Sequence, residues 1–201
     1  MGLLALSSVS SIHAAEEQFN DALRLANSGN VSALEQYRSS MQNDALGYYP
    51  EYWQLNANLA FQPPNNIANF AQRYPQSAMA EKLSADYVEE KVKQADFANA
   101  QSILQYVSNA DQAENCAIAQ VRAKTGDSLV FAEYKDVWLK TDSQPESCQG
   151  LGRLMLSSPL LTNVDRQQRL YALLRAGQSG QAIATAQTLG ISLSLAQLNQ
   201  I

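Results

Sequence analysis

The strongest constraint on the fold is a helical spacing of apolar residues that turn signals interrupt again and again. Phe19, Ala22, Leu23 and Ala26 follow the i, i+3, i+4, i+7 pattern and stop at Asn27-Ser28-Gly29-Asn30, a sequence suited to closing a helix. Val31, Leu34, Tyr37 and Met41 resume the spacing, and Tyr52, Trp53, Leu55 and Leu59 carry it to Pro63-Pro64. Ile67, Phe70 and Ala71 are cut off at Tyr74-Pro75, because a residue before proline avoids helical geometry. Ser77 is a candidate N-cap for the run through Met79, Leu83, Tyr87 and Val88, and Asp96 and Asp111 each restart the pattern. Further along, turns are expected at Lys124-Thr125-Gly126-Asp127, Ala176-Gly177 and Leu189-Gly190. β-Branched residues are scattered and never alternate, so no strand is expected.

These segments amount to about a dozen short helices. Helix, turn and helix recur every 30 to 35 residues or so, the length of a helical-hairpin repeat. The match to a strict tetratricopeptide consensus is poor. The expected fold is therefore all-α, a right-handed α-superhelix of degenerate tetratricopeptide-like hairpins.

Composition narrows the function classes. With 46% hydrophobic and 16% charged residues, the chain is too apolar for disorder. Fourteen Lys and Arg stand against 19 Asp and Glu, a net charge of -5 with no basic run, which argues against a nucleic-acid partner. No stretch of about 18 apolar residues is present, so the chain is not expected to span a membrane. The lone histidine is His13. If the N-terminal segment is removed, Ser-His-Asp and Cys-His catalysis and histidine zinc sites go with it. Any chemistry then falls to carboxylates, Tyr, Lys or Cys.

Met1-Gly2-Leu3-Leu4-Ala5-Leu6 is a short apolar run, and the small residues after it reach Ala14-Ala15 before Glu16-Glu17. Residues 1–15 are expected to be a secretory-signal-like segment lacking a basic start, and residues 16–201 the domain proper. Export agrees with an even pair of cysteines, Cys116 and Cys148, without CxxC spacing. In an oxidising compartment they can close a loop of roughly 33 residues; the other reading is two buried thiols.

Four aromatic residues, Tyr48, Tyr49, Tyr52 and Trp53, form the densest cluster. They either stack on sugar rings or pack between helices, and packing is the commoner use. Glu16-Glu17 begins a helix and Glu89-Glu90 lies among Lys91 and Lys93, so neither pair is placed to raise a carboxyl pKa for glycoside chemistry. Gly177-Gln178-Ser179-Gly180 lies between helical patterns and reads as a turn, not a phosphate loop.

Several segments together resemble the soluble lytic murein transglycosylases. Leu46-Gly47-Tyr48-Tyr49-Pro50-Glu51-Tyr52-Trp53-Gln54-Leu55 is similar to an aromatic segment of that family. Ile67-Ala68-Asn69-Phe70 followed by Arg73-Tyr74-Pro75 resembles another, and Glu114-Asn115-Cys116 a third. The most specific likeness is Trp138-Leu139-Lys140-Thr141-Asp142-Ser143-Gln144-Pro145-Glu146-Ser147-Cys148. The resemblance covers roughly residues 16 to 190.

The resemblance implies a disulfide between Cys116 and Cys148. It also implies that the chain corresponds to the family's N-terminal superhelical U domain, with the lysozyme-like catalytic domain absent from this chain and expected downstream in the gene. Glu146-Ser147 copies the family's catalytic Glu-Ser pair superficially, but it lies in the Cys148 segment, so no catalytic residue is carried over. The parent reaction cleaves the MurNAc–GlcNAc bond of peptidoglycan to a 1,6-anhydro product through one Glu, without metal or cofactor. The expected role is a periplasmic, non-catalytic domain that positions glycan strands, with cell-wall synthesis or turnover proteins as further partners. The alternative is a stand-alone periplasmic helical-repeat scaffold that binds a protein.

Overall fold

The computed structural model describes residues 6–140 and 145–198 of the chain. Among them every regular element is helical, as the spacing of apolar residues predicts. The α-helices are α1 (Leu6–Asn27), α2 (Glu35–Ser40), α3 (Tyr49–Ala57), α4 (Pro64–Arg73), α5 (Ala78–Lys93), α6 (Phe97–Ile103) and α7 (Gln112–Lys124). They continue with α8 (Val130–Glu133), α9 (Lys135–Leu139), α10 (Glu146–Leu156), α11 (Asn163–Arg175), α12 (Ser179–Thr188) and α13 (Leu195–Leu198). Helix α1 runs through Ala14 and Ala15, while residues 1–5 of the signal-like segment lie outside the described residues. Residues 141–144 of the Trp138–Cys148 segment do so as well.

Local chemistry sets the ends of these helices. Ser77 caps α5, its Oγ accepting from Met79 N at 3.1 Å, and Asp96 holds Asn99 N at 3.3 Å at the start of α6. Asp111 and Glu114 form a reciprocal capping box on α7, with Glu114 N donating to Asp111 Oδ1 at 2.9 Å and Asp111 N to Glu114 Oε2 at 2.7 Å. Thr162 and Asp165 repeat the device on α11. At the other end of α1, Gly29 takes φ 74°, which lets Asn30 N reach back to Leu25 O at 2.9 Å. Ala95 plays the same part after α5, at φ 59°, with Asp96 N donating to Lys91 O at 2.8 Å.

The chain divides into two compact units. The first comprises residues up to 90 together with 102–109. Here α3 packs on α1, α2 and α4, over Ala22, Leu34, Met41, Ile67 and Phe70, none more than 1% exposed. Burying side chains of the size of Leu34, Ile67 or Phe70 contributes about 1.5–3 kcal/mol each. Tyr87 is also fully buried, and its hydroxyl is satisfied by Gln62 O at 3.1 Å.

The second unit comprises residues 91–101 together with 110 onward. Its main pairing is α7 with α10, two helices separated in sequence by the short α8 and α9. Cys116, Ala119, Val130, Trp138, Leu151 and Met155 form their shared core. Gly150 permits the approach: a Cβ there would lie 2.8 Å from the side-chain oxygen of Gln120. That amide is fixed in turn by donating to Ser147 O at 2.7 Å, and Ser147 Oγ donates to Ala113 O at 2.7 Å. Of the Glu146-Ser147 pair, Ser147 is thus buried in the helix packing, while Glu146 is exposed at the start of α10. A second core of Leu170, Leu173, Ala182 and Ala186 joins α11 to α12 across the turn expected at Gly177.

Candidate functional site

Three of the four clustered aromatics, Tyr49, Tyr52 and Trp53, share one face of α3 because they are spaced i, i+3, i+4, and Tyr48 stands at the N-cap of that helix. They extend into a continuous chain of rings in the first unit. Phe19 of α1 meets Trp53 at 5.6 Å and the edge of Tyr49 at 5.3 Å, and Tyr49 stacks on Tyr48 at 4.7 Å with 24° between the planes. Tyr48 lies 5.7 Å from Tyr74, which in turn meets Phe70 at 5.0 Å. Such pairs contribute about 0.5–1.5 kcal/mol each beyond their burial.

Two local features aim this chain. Gly47 precedes it, and a Cβ on Gly47 would stand 2.0 Å from Met41 O, so only glycine fits where the chain turns into α3. Pro50 occupies the first turn of α3, where a missing N–H costs nothing. Glu51 then anchors the helix from the side: 8% exposed, it accepts from Arg73 Nη2 of α4 and lies 3.4 Å from Arg38 Nη2 of α2. Two guanidiniums on one buried carboxylate tie three helices together at the foot of the aromatic face.

The four aromatics do not share one environment. Tyr52 is 8% exposed, and burial raises its phenol pKa. Tyr49 has Tyr48 on one side and Phe19 on another, and its own pKa is raised first by its hydrogen bond with Tyr48 and then by burial. Trp53 packs against Phe19 and Tyr49. Tyr48 lines an open pocket, of about 460 Å³, whose other wall is Tyr74, Pro75, Gln76 and Ser77. Tyr74, which the sequence marks only as a helix end, is therefore a member of the site. Its spacing from Phe70, i and i+4 with Tyr74 as the C-cap of α4, is the signal that brings both rings together.

Pro75 also lines a neighbouring groove of about 360 Å³ with Gln72, Glu81, Gln105, Tyr106 and Ser108. Gln72 Nε2 donates to the Tyr106 hydroxyl at 2.7 Å. Glu81 Oε1 accepts from Ser108 Oγ at 2.6 Å, from Ser108 N at 3.1 Å and from Asn109 N. These bonds, that of Ser108 Oγ foremost, hold the Glu81 carboxyl below the usual range. Glu81 is thereby a fixed acceptor and not a proton donor at neutral pH. Among the described residues Asp127, Glu133 and Asp165 are displaced in the same direction, by Arg122 in the first two cases and chiefly by Lys135 in the third.

The two cysteines are joined: Cys116 of α7 and Cys148 of α10 form a disulfide across the core of the second unit. Among the described residues no group of three or more acidic, cysteine or histidine side chains is gathered as a metal site. No described helix is long and apolar enough to cross a membrane.

Comparison with known proteins gives this arrangement a context. The soluble lytic murein transglycosylase of Escherichia coli strain K12 is 24% identical over 182 residues, and so is that of Escherichia coli O157:H7. The crystal structure of the 70 kDa soluble lytic transglycosylase from Escherichia coli superposes with a TM-score of 0.69 at 20% identity, over 87% of this chain. This chain resembles soluble lytic murein transglycosylases in sequence and in fold. A structure of the 70 kDa enzyme in complex with bulgecin A matches equally well, over 90% of the chain. The chain spans 28% of the length of these curated relatives, while the match takes in 89% of the chain itself. No protein-family model matches.

Proposed function

We propose that the chain is a non-catalytic, superhelical domain of the soluble lytic transglycosylase type, which positions peptidoglycan glycan strands for cleavage by a catalytic domain. The observation that carries the reading is the likeness to the soluble lytic murein transglycosylases across 89% of this chain but 28% of theirs. Two further features support it. The open pocket between Tyr48 and Tyr74 presents aromatic rings beside Gln76 and Ser77, the mixture of flat apolar faces and small polar groups that suits a sugar ring. The neighbouring groove adds amide, phenol and carboxylate groups along the same edge through Pro75. In this reading residues 1–15 direct export to the periplasm, where the disulfide forms and peptidoglycan is met.

Co-sedimentation of the full chain with purified insoluble peptidoglycan tests the proposal. The protein is expected in the pellet, and the Tyr48→Ala/Tyr74→Ala double variant is expected to lose at least tenfold in affinity at an intact helical circular dichroism spectrum. A wild-type protein that stays in the supernatant, or a folded double variant that pellets like wild type, overturns it.

A second reading, a scaffold that binds a protein, is favoured by the side chains of Phe61, 87% exposed, and of Leu129 and Val164, each 70% exposed. It predicts that Phe61→Ser weakens capture of a periplasmic protein without altering glycan binding.

A further inference from the structure

The second unit holds a pocket of about 280 Å³ on which two arginines open, Arg153 of α10 and Arg169 of α11, and none of its lining residues is acidic. In a chain of net charge -5 this is a concentration of positive charge that no acidic lining residue opposes among the described residues. Arg169 is 7% exposed and lies with its guanidinium carbon 4.7 Å above the ring of Trp138. Its Nη1 donates to the carbonyls of Trp138 and Lys140, and its Nη2 to Gln181 Oε1 at 2.8 Å. A guanidinium has five N–H donors. Nε and one Nη2 hydrogen are left without a partner among the described residues.

No carboxylate among the described residues pairs with Arg169. Burial draws its pKa down to about 10, which still leaves a cation at neutral pH. A buried cation fixed only by carbonyl and amide oxygens is oriented but not neutralised, and an anion is what completes it. Arg153, by contrast, is exposed and makes no hydrogen bond or ion pair among the described residues. One arginine is held rigid by its partners and the other is unengaged, and both face the same space. Leu156 and Ala184 supply an apolar part of the lining.

We infer that this pocket binds the carboxylate end of a short peptide of small residues, with Arg153 and Arg169 taking the carboxylate and Leu156 and Ala184 taking the side chains. Guanidinium pairs suit a carboxylate because the planar fork matches two oxygens at once. The volume admits about two small residues, and ligand pockets of this kind combine an apolar lining with a few fixed polar groups. The pocket is independent of the aromatic site of the first unit, so the glycan reading can fail without affecting it.

A nitrogen-labelled chain of residues 1–201 titrated with N-acetyl-dialanine, followed by amide and indole chemical shifts, tests the inference. Saturable shifts are expected at the Trp138 indole, Gly152 and Gly180. The C-terminal amide of the same dipeptide is expected to bind at least tenfold more weakly, and Arg153→Gln to weaken the acid by a similar factor. Gly180→Leu blocks the pocket in a second way, since a Cβ at Gly180 meets nothing within 4 Å and the fold can accept it. Equal binding of acid and amide, an unchanged titration in Arg153→Gln, or undiminished binding in Gly180→Leu overturns the inference. Inorganic phosphate binding as tightly as the acid overturns the peptide assignment, and absence of any shift at these positions overturns the site.

Discussion

Lys135 Nζ lies 2.9 Å from Asp165 Oδ1, joining α9 to the first turn of α11. The same carboxylate accepts from the backbone N–H and the hydroxyl of Thr162, at 2.9 and 2.8 Å. Lys135 foremost, and then Thr162, hold its pKa down to about 2. An unfolded Asp titrates near 3.9, so the native state binds the proton more weakly than the unfolded state. The stabilisation from Asp165 is present in full above that unfolded value and is lost as pH falls toward 2. Asp165→Asn is expected to lower stability at pH 7 by about 1–2 kcal/mol through loss of the capping box and ion pair. It is also expected to flatten the pH dependence of the urea midpoint between pH 4 and 2. An acid limb as steep as that of wild type counts against this assignment.

Reduction of the Cys116–Cys148 bond opens a covalent loop with a sequence separation of 32. The chain-entropy model assigns such a loop about 3–4 kcal/mol. A lower unfolding midpoint is therefore expected on adding reductant, or in Cys116→Ser/Cys148→Ser, measured by guanidinium denaturation. An unchanged midpoint would mean that the packing of α7 on α10 holds the pair without the bond. Material isolated from an oxidising compartment should yield no alkylatable thiol.

Gly47→Ala places a methyl group against Met41 O at a distance no packed atom tolerates. The turn into α3 must shift, at a cost of about 1–3 kcal/mol. The aromatic chain begins at the next residue, so the near-ultraviolet circular dichroism of the tyrosines is expected to change with it. A variant with native stability and native spectrum would show that the turn is pliable.

Ala95 sits at φ 59°, where a side chain is costly and glycine is not. Ala95→Gly is expected to raise stability by about 1 kcal/mol, or 2–4 °C in Tm. A fall in Tm would mean that the entropy lost by glycine on folding exceeds the strain relieved.

The helices were legible in the sequence because their signals are local. Ser77, Asp96 and Asp111 cap the helices expected of them, and Gly29 and Tyr74-Pro75 mark ends that the structure keeps. What joins the helices was not legible. The pairing of α7 with α10 skips two short helices, and nothing in the residues between them announces the skip. Arg38 and Arg73 reach Glu51 from separate helices, and Arg169 finds Trp138 across 31 positions. These contacts are set by packing, which no short-range pattern encodes. The cysteine bridge was readable through family resemblance, since two cysteines alone fit buried thiols as well. For the aromatic cluster the residue types were plain, but their division into buried Tyr52 and pocket-lining Tyr48 depends on which neighbours fold over them.

The bond between α7 and α10 also governs how the molecule responds to a protease. A single cut anywhere between Cys116 and Cys148 leaves both products on one covalent body. The nicked protein runs as an intact chain on a non-reducing gel and separates into two only with reductant. Damage within this stretch is therefore retained in the fold, so the second unit is better protected against fragment loss there than its surface turns would suggest.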